Sequence, residues 1–313
     1  MTPFFSIVIP TYNRSGSIRR TLDSVRHQTC TDFECVIVDD GSNDGDQLAE
    51  VVSGMNDGRF RLVRTKNGGG GAARNAGVNS SHGRFIAFLD SDDCFFPSKL
   101  DECRAAIERS EFNERDTVLF SQIIVDRGCS RTWVKPSRSP RAEEPIDDYL
   151  IFQGGFIQTS TIVLSREIAL RVPFDPMLPF GQDTDLCIRL HAHGCRFEML
   201  PEPLVVWDDT AAPNRVSGTR KVDALLAWTD RIRPLISDRC YYAYRGWHGA
   251  KAAYSSKQAN LAARLYFDAL LHGSFTPRLA VKAALQISLP SNTHRNLANM
   301  VVRLFGKKKK ANP

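Results

Sequence analysis

The segment Arg84-Phe-Ile-Ala-Phe-Leu-Asp-Ser-Asp-Asp93 constrains the fold more than any other part of the chain. Its five apolar residues, Phe85 to Leu89, are too few for a buried helix and match a strand covered on both faces. The run stops abruptly at three carboxylates, Asp90, Asp92 and Asp93. In open α/β sheets ligands bind beyond the carboxyl ends of the strands, and carboxylates crowded there repel unless a cation or a donor-rich ligand sits among them. Carboxylate and phosphate oxygens together suit Mg²⁺ or Mn²⁺. A solvated acidic turn, with Asp capping a helix ahead of Pro97, is the alternative.

The residues before this segment repeat one unit. Ser6 to Pro10 is a buried strand that ends at Thr11-Tyr-Asn-Arg14, and Ile18, Leu22 and Val25 then follow at helical spacing. Phe33 to Val38 is a second strand, stopping at Asp39-Asp-Gly-Ser42, with a helix expected over 44–52. Phe60 to Val63 is a third, leading into Lys66-Asn-Gly-Gly-Gly-Gly-Ala-Ala-Arg-Asn-Ala-Gly77. Strands alternating with helices at this spacing predict a doubly wound, mostly parallel sheet with right-handed crossovers.

Four strand ends therefore deliver Thr11 to Arg14, Asp39 and Asp40, Lys66 to Arg74, and Asp90 to Asp93 to one edge. Carboxylates at two ends and basic or glycine-rich loops at the others suit a metal-bound nucleoside diphosphate, its base held by Asp39 or Asp40. The glycine run lacks dinucleotide-binding spacing, which places its glycines directly after the first strand. Downstream, Lys99 to Ile107 reads as a helix, Val118 to Val125 as a strand, and Ser130 to Asp148 as a polar loop across the active face. Another helix starts near Asp183, which is either its N-cap or a general base at a helix start.

Charge is unevenly distributed. From Tyr241 onward twelve Lys or Arg stand against Asp268 alone, so that stretch carries +11 and the preceding 240 residues −5 of a net +6. A basic tail on a mildly acidic body implies an anionic partner. Near its end Leu297, Met300, Val301, Leu304 and Phe305 form an apolar stripe beside Arg295, Arg303 and Lys307 to Lys310, the pattern of a helix lying on an anionic membrane. No stretch approaches the ~20 apolar residues of a membrane span, so a cytoplasmic location is expected, extending to the inner face of the cell membrane. The eight cysteines form no Cys-x-x-Cys pair, which argues against a zinc knuckle or a disulfide framework.

Taken in order, Pro10-Thr-Tyr-Asn-Arg14, Val38-Asp-Asp-Gly-Ser42, Asn67 to Gly77, Phe88-Leu-Asp-Ser-Asp-Asp93, Gly181-Gln-Asp-Thr-Asp-Leu186 and Pro203-Leu-Val-Val-Trp with Arg215-Val-Ser217 resemble the family 2 glycosyltransferases over about residues 4 to 217. The resemblance implies a GT-A fold, α/β and Rossmann-like, over residues 1–217; from about residue 218 it stops, and composition and charge predict a basic helical appendage over 218–313. It implies an inverting, metal-dependent hexosyltransferase that uses a nucleotide-sugar donor and a carbohydrate or lipid-linked acceptor. Pro10, Thr11, Tyr12 and Arg14 would line the nucleotide pocket, Asp40 with Asp39 would contact the base, usually uracil, and Asn67 would border it. Arg74 would approach the diphosphate, Asp90 and Asp92 would be the Asp-x-Asp pair with Asp92 the leading metal ligand, and Asp183 would be the catalytic base. Two departures stand out: Gln182 where glutamate usually precedes the base, and Trp207-Asp-Asp209 where many relatives carry a histidine. Either Asp208 or Asp209 reaches the cation there, or water does.

A sugar-nucleotide nucleotidyltransferase would need an arginine-bearing glycine loop after the first strand, where this chain has Pro10-Thr-Tyr-Asn. A non-catalytic nucleic-acid-binding protein using the basic tail is the rival from another class. The tail lacks a recognisable binding motif and the acidic sheet edge would repel phosphate without a metal, so no nucleic-acid partner is expected.

Overall fold

A computed structural model describes residues 2–210, 222–289 and 291–308. They form two compact units, one of residues 1–143, 155–211 and 307–313, the other of residues 144–154 and 212–306.

The first unit begins with the expected repeat: β1 (Phe5–Thr11), α1 (Arg19–Arg26), β2 (Phe33–Asp39), α2 (Gly45–Ser53), β3 (Phe60–Arg64), α3 (Gly69–Ser80) and β4 (Phe85–Phe88). The four strands pair in parallel in the order β3-β2-β1-β4, with Val8 opposite both Val36 and Phe88. All seven residues of β1 and all four of β4 are buried, so their lack of alternation reflects cover on both faces. The core joins Ile7, Ile9 and Phe85 of these strands to Leu22 and Val25 of α1 and Leu48 of α2. The other face of β1 receives α3, whose Gly77 allows the approach: a Cβ there would lie 2.3 Å from Val8 Cγ1 and 3.1 Å from Val38 Cγ2.

Beyond β4 the sheet becomes mixed. After β5 (Cys94–Phe95) and α4 (Lys99–Ile107) come β6 (Thr117–Asp126), β7 (Arg131–Lys135), α5 (Ile146–Phe152, in the second unit), β8 (Val163–Ser165), α6 (Arg166–Arg171), α7 (Gln182–Ala192) and β9 (Arg196–Asp208). β8 pairs antiparallel with β4, and β6 pairs antiparallel with β7 and parallel with β9. The expected loop over 130–148 is therefore corrected at both ends. β7 forms against β6 until Pro136, and α5 begins directly after Pro145 with Asp147 and Asp148 in its first turn.

The second unit holds α5 and α8 (Val222–Ile232), α9 (Asp238–Tyr244), α10 (Ala250–Ser255), α11 (Ala259–Leu271), α12 (Pro277–Ser288) and α13 (Ser291–Phe305). A π-helical stretch, Arg245–Gly249, joins α9 to α10. Val222, Ala250, Ala253, Ala262 and Leu265 form its small core. At the end of the described chain β10 (Lys307–Lys308) pairs antiparallel with β7. All eight cysteines are buried and unpaired to one another. No helix among the described residues is long and apolar enough to cross a membrane. Arg215 to Ser217, Lys309 and Lys310 lie outside the described residues.

Candidate active site

The parallel register brings the carboxyl ends of β1, β2 and β3 and the residues after β4 to one edge. From β1, Pro10 and Thr11 are buried while Tyr12 is 47 % exposed. Asn13 takes a positive φ of 51°, a conformation Asn tolerates, and its N–H donates to Ser42 Oγ at 2.9 Å. Ser15 N–H donates to Asp44 Oδ2, so the loops after β1 and β2 hold each other.

Asp39 and Asp40 are buried at the end of β2. Asp39 Oδ1 accepts the Ser42 N–H at 2.9 Å. Asp40 accepts the Gly68 and Gly69 N–H groups, one on each carboxylate oxygen and both at 2.8 Å. A helix N-terminus offers unpaired donors and a positive dipole end, so a carboxylate there fixes the start of α3. Asn67, one residue earlier, packs so closely that a side chain at Gly41 would meet its backbone nitrogen at 2.7 Å.

α3 carries Arg74 into the site. Its guanidinium is buried, donating through Nη2 to Asp90 Oδ1 at 2.5 Å and through Nη1 to Gln182 Oε1 at 2.6 Å, and it lies 5.1 Å from the Phe174 ring. Buried charge of this kind is held only with a partner. Arg74 thus ties the acidic turn after β4 to the first residue of α7. Gln182 is a neutral acceptor for it, and Gln182 Nε2 donates in turn to Leu178 O. The loop before α7 is pinned to α3 by Asn75, which exchanges two hydrogen bonds with the backbone of Phe174.

The three carboxylates after β4 have different surroundings. Asp92 is partly exposed and pairs with Arg14 at 3.7 Å. Asp90 is shared between Arg74 and Gln158 Nε2, the latter at 3.1 Å. Asp93 is fully buried, accepting from Ser160 Oγ at 2.6 Å, Gln158 Nε2 at 2.9 Å and the Asp208 N–H at 3.2 Å. Burial, then the negative charges of Asp90 and Asp92, push its carboxyl well above the usual range. The opening alternative of a solvated turn is excluded for Asp93.

Asp183 occupies the first turn of α7, with Thr184 N–H donating to its Oδ1 at 2.8 Å. Gly181, in the left-handed region at φ +69°, is the residue before the helix. Burial raises the Asp183 pKa and Asp90 adds to this, against the opposing pull of Thr184 N–H and Arg74. A carboxyl near a second carboxylate, in a site also holding a buried arginine, suits a general base. At the end of β9, Asp208 Oδ1 accepts from Thr210 and its Oδ2 lies 3.6 Å from Arg20, whereas Asp209 pairs with Arg127 at 2.9 Å. Asp208, whose N–H also holds Asp93, is thus the member of that pair next to the acidic turn.

Two buried polar atoms at this edge, Thr11 Oγ1 and Arg74 Nε, have no protein partner. Hard oxygen donors on Asp90 and Asp92 beside such atoms fit a divalent cation with a phosphate-bearing ligand. Another group able to hold a metal is Asp147, Asp148 and Cys240 in the second unit. There Asp147 accepts the Ser237 N–H, and the Cys240 thiol, pushed up by burial, donates to Asp148 at 3.2 Å. These contacts join α5 to the start of α9.

Sequence reasoning missed Gln158, Ser160, Phe174 and Arg20. The first two had a signal: Gln158-Thr-Ser-Thr161 is a polar tetrad within an apolar stretch, and all four residues are buried.

A half-parallel, half-mixed sheet with an acidic turn after β4 and a carboxylate-bearing helix start facing a buried arginine defines a glycosyltransferase of the GT-A type. The family model described as "Glycosyl transferase family 2" matches residues 6–172, and the chain belongs to that family. It is 37 % identical over 271 residues to the amylovoran biosynthesis glycosyltransferase AmsB of Erwinia amylovora, covering 84 % of this chain and 90 % of that protein. It is 30 % identical over 192 residues to the succinoglycan biosynthesis protein ExoW of Rhizobium meliloti, covering 57 % of this chain and 60 % of that one. Among solved structures it is similar to S. aureus TarS residues 1–349 in complex with UDP-GlcNAc, with a TM-score of 0.62 at 18 % identity over 99 % of this chain and 98 % of the other. It also resembles the mannosyltransferase PcManGT of Pyrobaculum calidifontis in complex with GDP-Man and Mn²⁺, with a TM-score of 0.57 at 19 % identity over 97 % and 88 %. At these identities the likeness to the solved structures speaks for the fold.

Proposed function

We propose that the protein is an inverting hexosyltransferase that moves a sugar from a nucleoside-diphosphate sugar, a UDP-sugar foremost, to an acceptor hydroxyl during assembly of a surface polysaccharide or glycolipid. The observation that carries this reading is the buried Arg74, which joins Asp90 to Gln182 beside Asp183 and so sets a phosphate-binding cation at the meeting point of an acidic turn and a base. The relatives named for amylovoran and succinoglycan biosynthesis support the polymer, and the structural neighbours bound to UDP-GlcNAc and GDP-Man support the donor class.

In this reading residues 1–217 form the catalytic domain. Pro10, Thr11, Tyr12, Arg14, Asp39, Asp40 and Asn67 line the nucleotide site, and Asp40 also fixes the start of α3. Asp92 and Asp90 would hold Mn²⁺ or Mg²⁺, which when bound would neutralise charge on the leaving diphosphate. Arg74 contributes positive charge at the same place. Asp183 accepts the proton of the acceptor hydroxyl, a poor nucleophile until it begins to lose that proton. A thermal-shift panel of nucleoside diphosphates and sugar nucleotides, with and without Mn²⁺, tests the reading. Metal-dependent stabilisation by one nucleotide series is expected, and no response to any of them would refute it.

The basic region 218–313 is assigned to an anionic membrane at the cytoplasmic face. Arg278, Val281, Lys282 and Leu285 are exposed along one face of α12, and Met300, Val301, Arg303 and Leu304 are exposed on α13. Apolar side chains interleaved with cations suit anionic lipid headgroups.

A further inference from the structure

We infer that Gln158, together with Ser160, is a positioning residue that presets the Asp90–Asp93 turn for its cation. The inference rests on the donor-and-cation reading above and concerns two side chains which that reading does not use. Both sit in the segment that enters β8, and the antiparallel pairing of β8 with β4 lays this segment beside the turn.

Gln158 Nε2 donates to Asp90 Oδ2 at 3.1 Å and to Asp93 Oδ2 at 2.9 Å, bridging two carboxylates that would otherwise repel. Its Oε1 accepts the Ser160 N–H at 2.7 Å, which fixes which end of the amide faces the acids. Ser160 completes the brace: its Oγ accepts the Asp90 N–H at 3.0 Å and donates to Asp93 Oδ2 at 2.6 Å. Gln158 is 6 % exposed and Ser160 and Asp93 are fully buried, so water does not replace the bonds to Asp93.

The residue type matters. A lysine in place of Gln158 would neutralise the carboxylates and compete with a cation. An apolar side chain would remove the donor that Asp90 Oδ2 and Asp93 Oδ2 share. A neutral amide with two N–H donors holds both acids still and adds no positive charge that would compete with a cation. Outer partners of this sort orient the groups that contact a metal.

Isothermal titration of UDP into the full-length protein, with and without Mn²⁺, tests the assignment against Gln158→Met, which keeps the side-chain volume and removes the donors. The Mn²⁺ concentration giving half-maximal nucleotide binding should rise about 10- to 100-fold, while metal-free UDP affinity changes less than about twofold. A purely structural role would instead lower the melting temperature and weaken binding with and without metal alike. Unchanged Mn²⁺ dependence in a folded Gln158→Met overturns the inference and leaves the donor reading intact. Wild-type protein that binds UDP without any response to Mn²⁺ overturns both. Should Gln158→Met fail to fold, Ser160→Ala carries the same two outcomes, because it removes the acceptor of the Asp90 N–H.

Discussion

Asp183→Asn separates the two roles that a carboxyl at the start of α7 can have. The Thr184 N–H donates to Oδ1, and asparagine keeps that acceptor, so the variant removes charge and proton affinity while preserving shape. A negative charge in the first turn of a helix contributes about 0.3–1 kcal/mol. Burial and the neighbouring Asp90 oppose that charge more strongly than Thr184 N–H and Arg74 favour it, because the pKa of Asp183 is raised in the folded protein. Its contribution to stability is therefore fully present below the unfolded carboxyl pKa of about 3.9 and is lost as pH rises through the higher folded value. At neutral pH the asparagine variant should melt at or above the wild-type temperature. Turnover should fall by about 10²- to 10⁴-fold, the usual worth of a positioned general base. In the wild-type enzyme the base must be deprotonated, so kcat/KM should decline as pH drops through the raised Asp183 value, and the variant should lack that limb. Initial-rate measurement of nucleoside diphosphate release across pH, paired with differential scanning calorimetry, checks all three. Full turnover by Asp183→Asn, or activity loss matched by a lower melting temperature, would show that Asp183 is a structural helix-start residue.

Asp92→Ala should abolish metal-dependent nucleotide binding with little change in melting temperature. Its pair with Arg14 is partly exposed and 3.7 Å long, a class of contact contributing about 0–1 kcal/mol, and titration calorimetry beside a melting curve separates the two effects. Gly77→Ala forces a methyl group against Val8 and Val38 and should destabilise by roughly 1–3 kcal/mol in urea unfolding; an unchanged midpoint would mean that α3 can move off β1 at no cost. Reversing Arg278, Lys282 and Arg303 to Glu should cut co-sedimentation with anionic vesicles about 100-fold or more, taking on the order of 1 kcal/mol per cationic residue, and undiminished sedimentation would remove the membrane assignment.

Much of the first unit follows from local pattern. The runs in β1, β2 and β4 are apolar without alternation because both faces are covered, and each ends where polar residues begin, so sheet, crossovers and the ligand edge are legible from order alone. The mixed half was less legible: β7 is a five-residue strand whose place is set by pairing with β6, and α5 is a short helix whose residues pack in the second unit. Neither carries a long enough period to declare itself.

For the site, sequence alone determined which residue types stand at the strand ends, because a strand, a stop and a carboxylate are contiguous features. Only the tertiary structure decided how those residues divide the work. Asp40 is committed to the α3 backbone, Arg74 is shared between Asp90 and Gln182 across 108 residues of chain, and Asp93 is buried under Gln158 and Ser160. The physical reason is that a carboxylate's role depends on which donors reach its oxygens and how much water it loses, and both are set by residues remote in sequence.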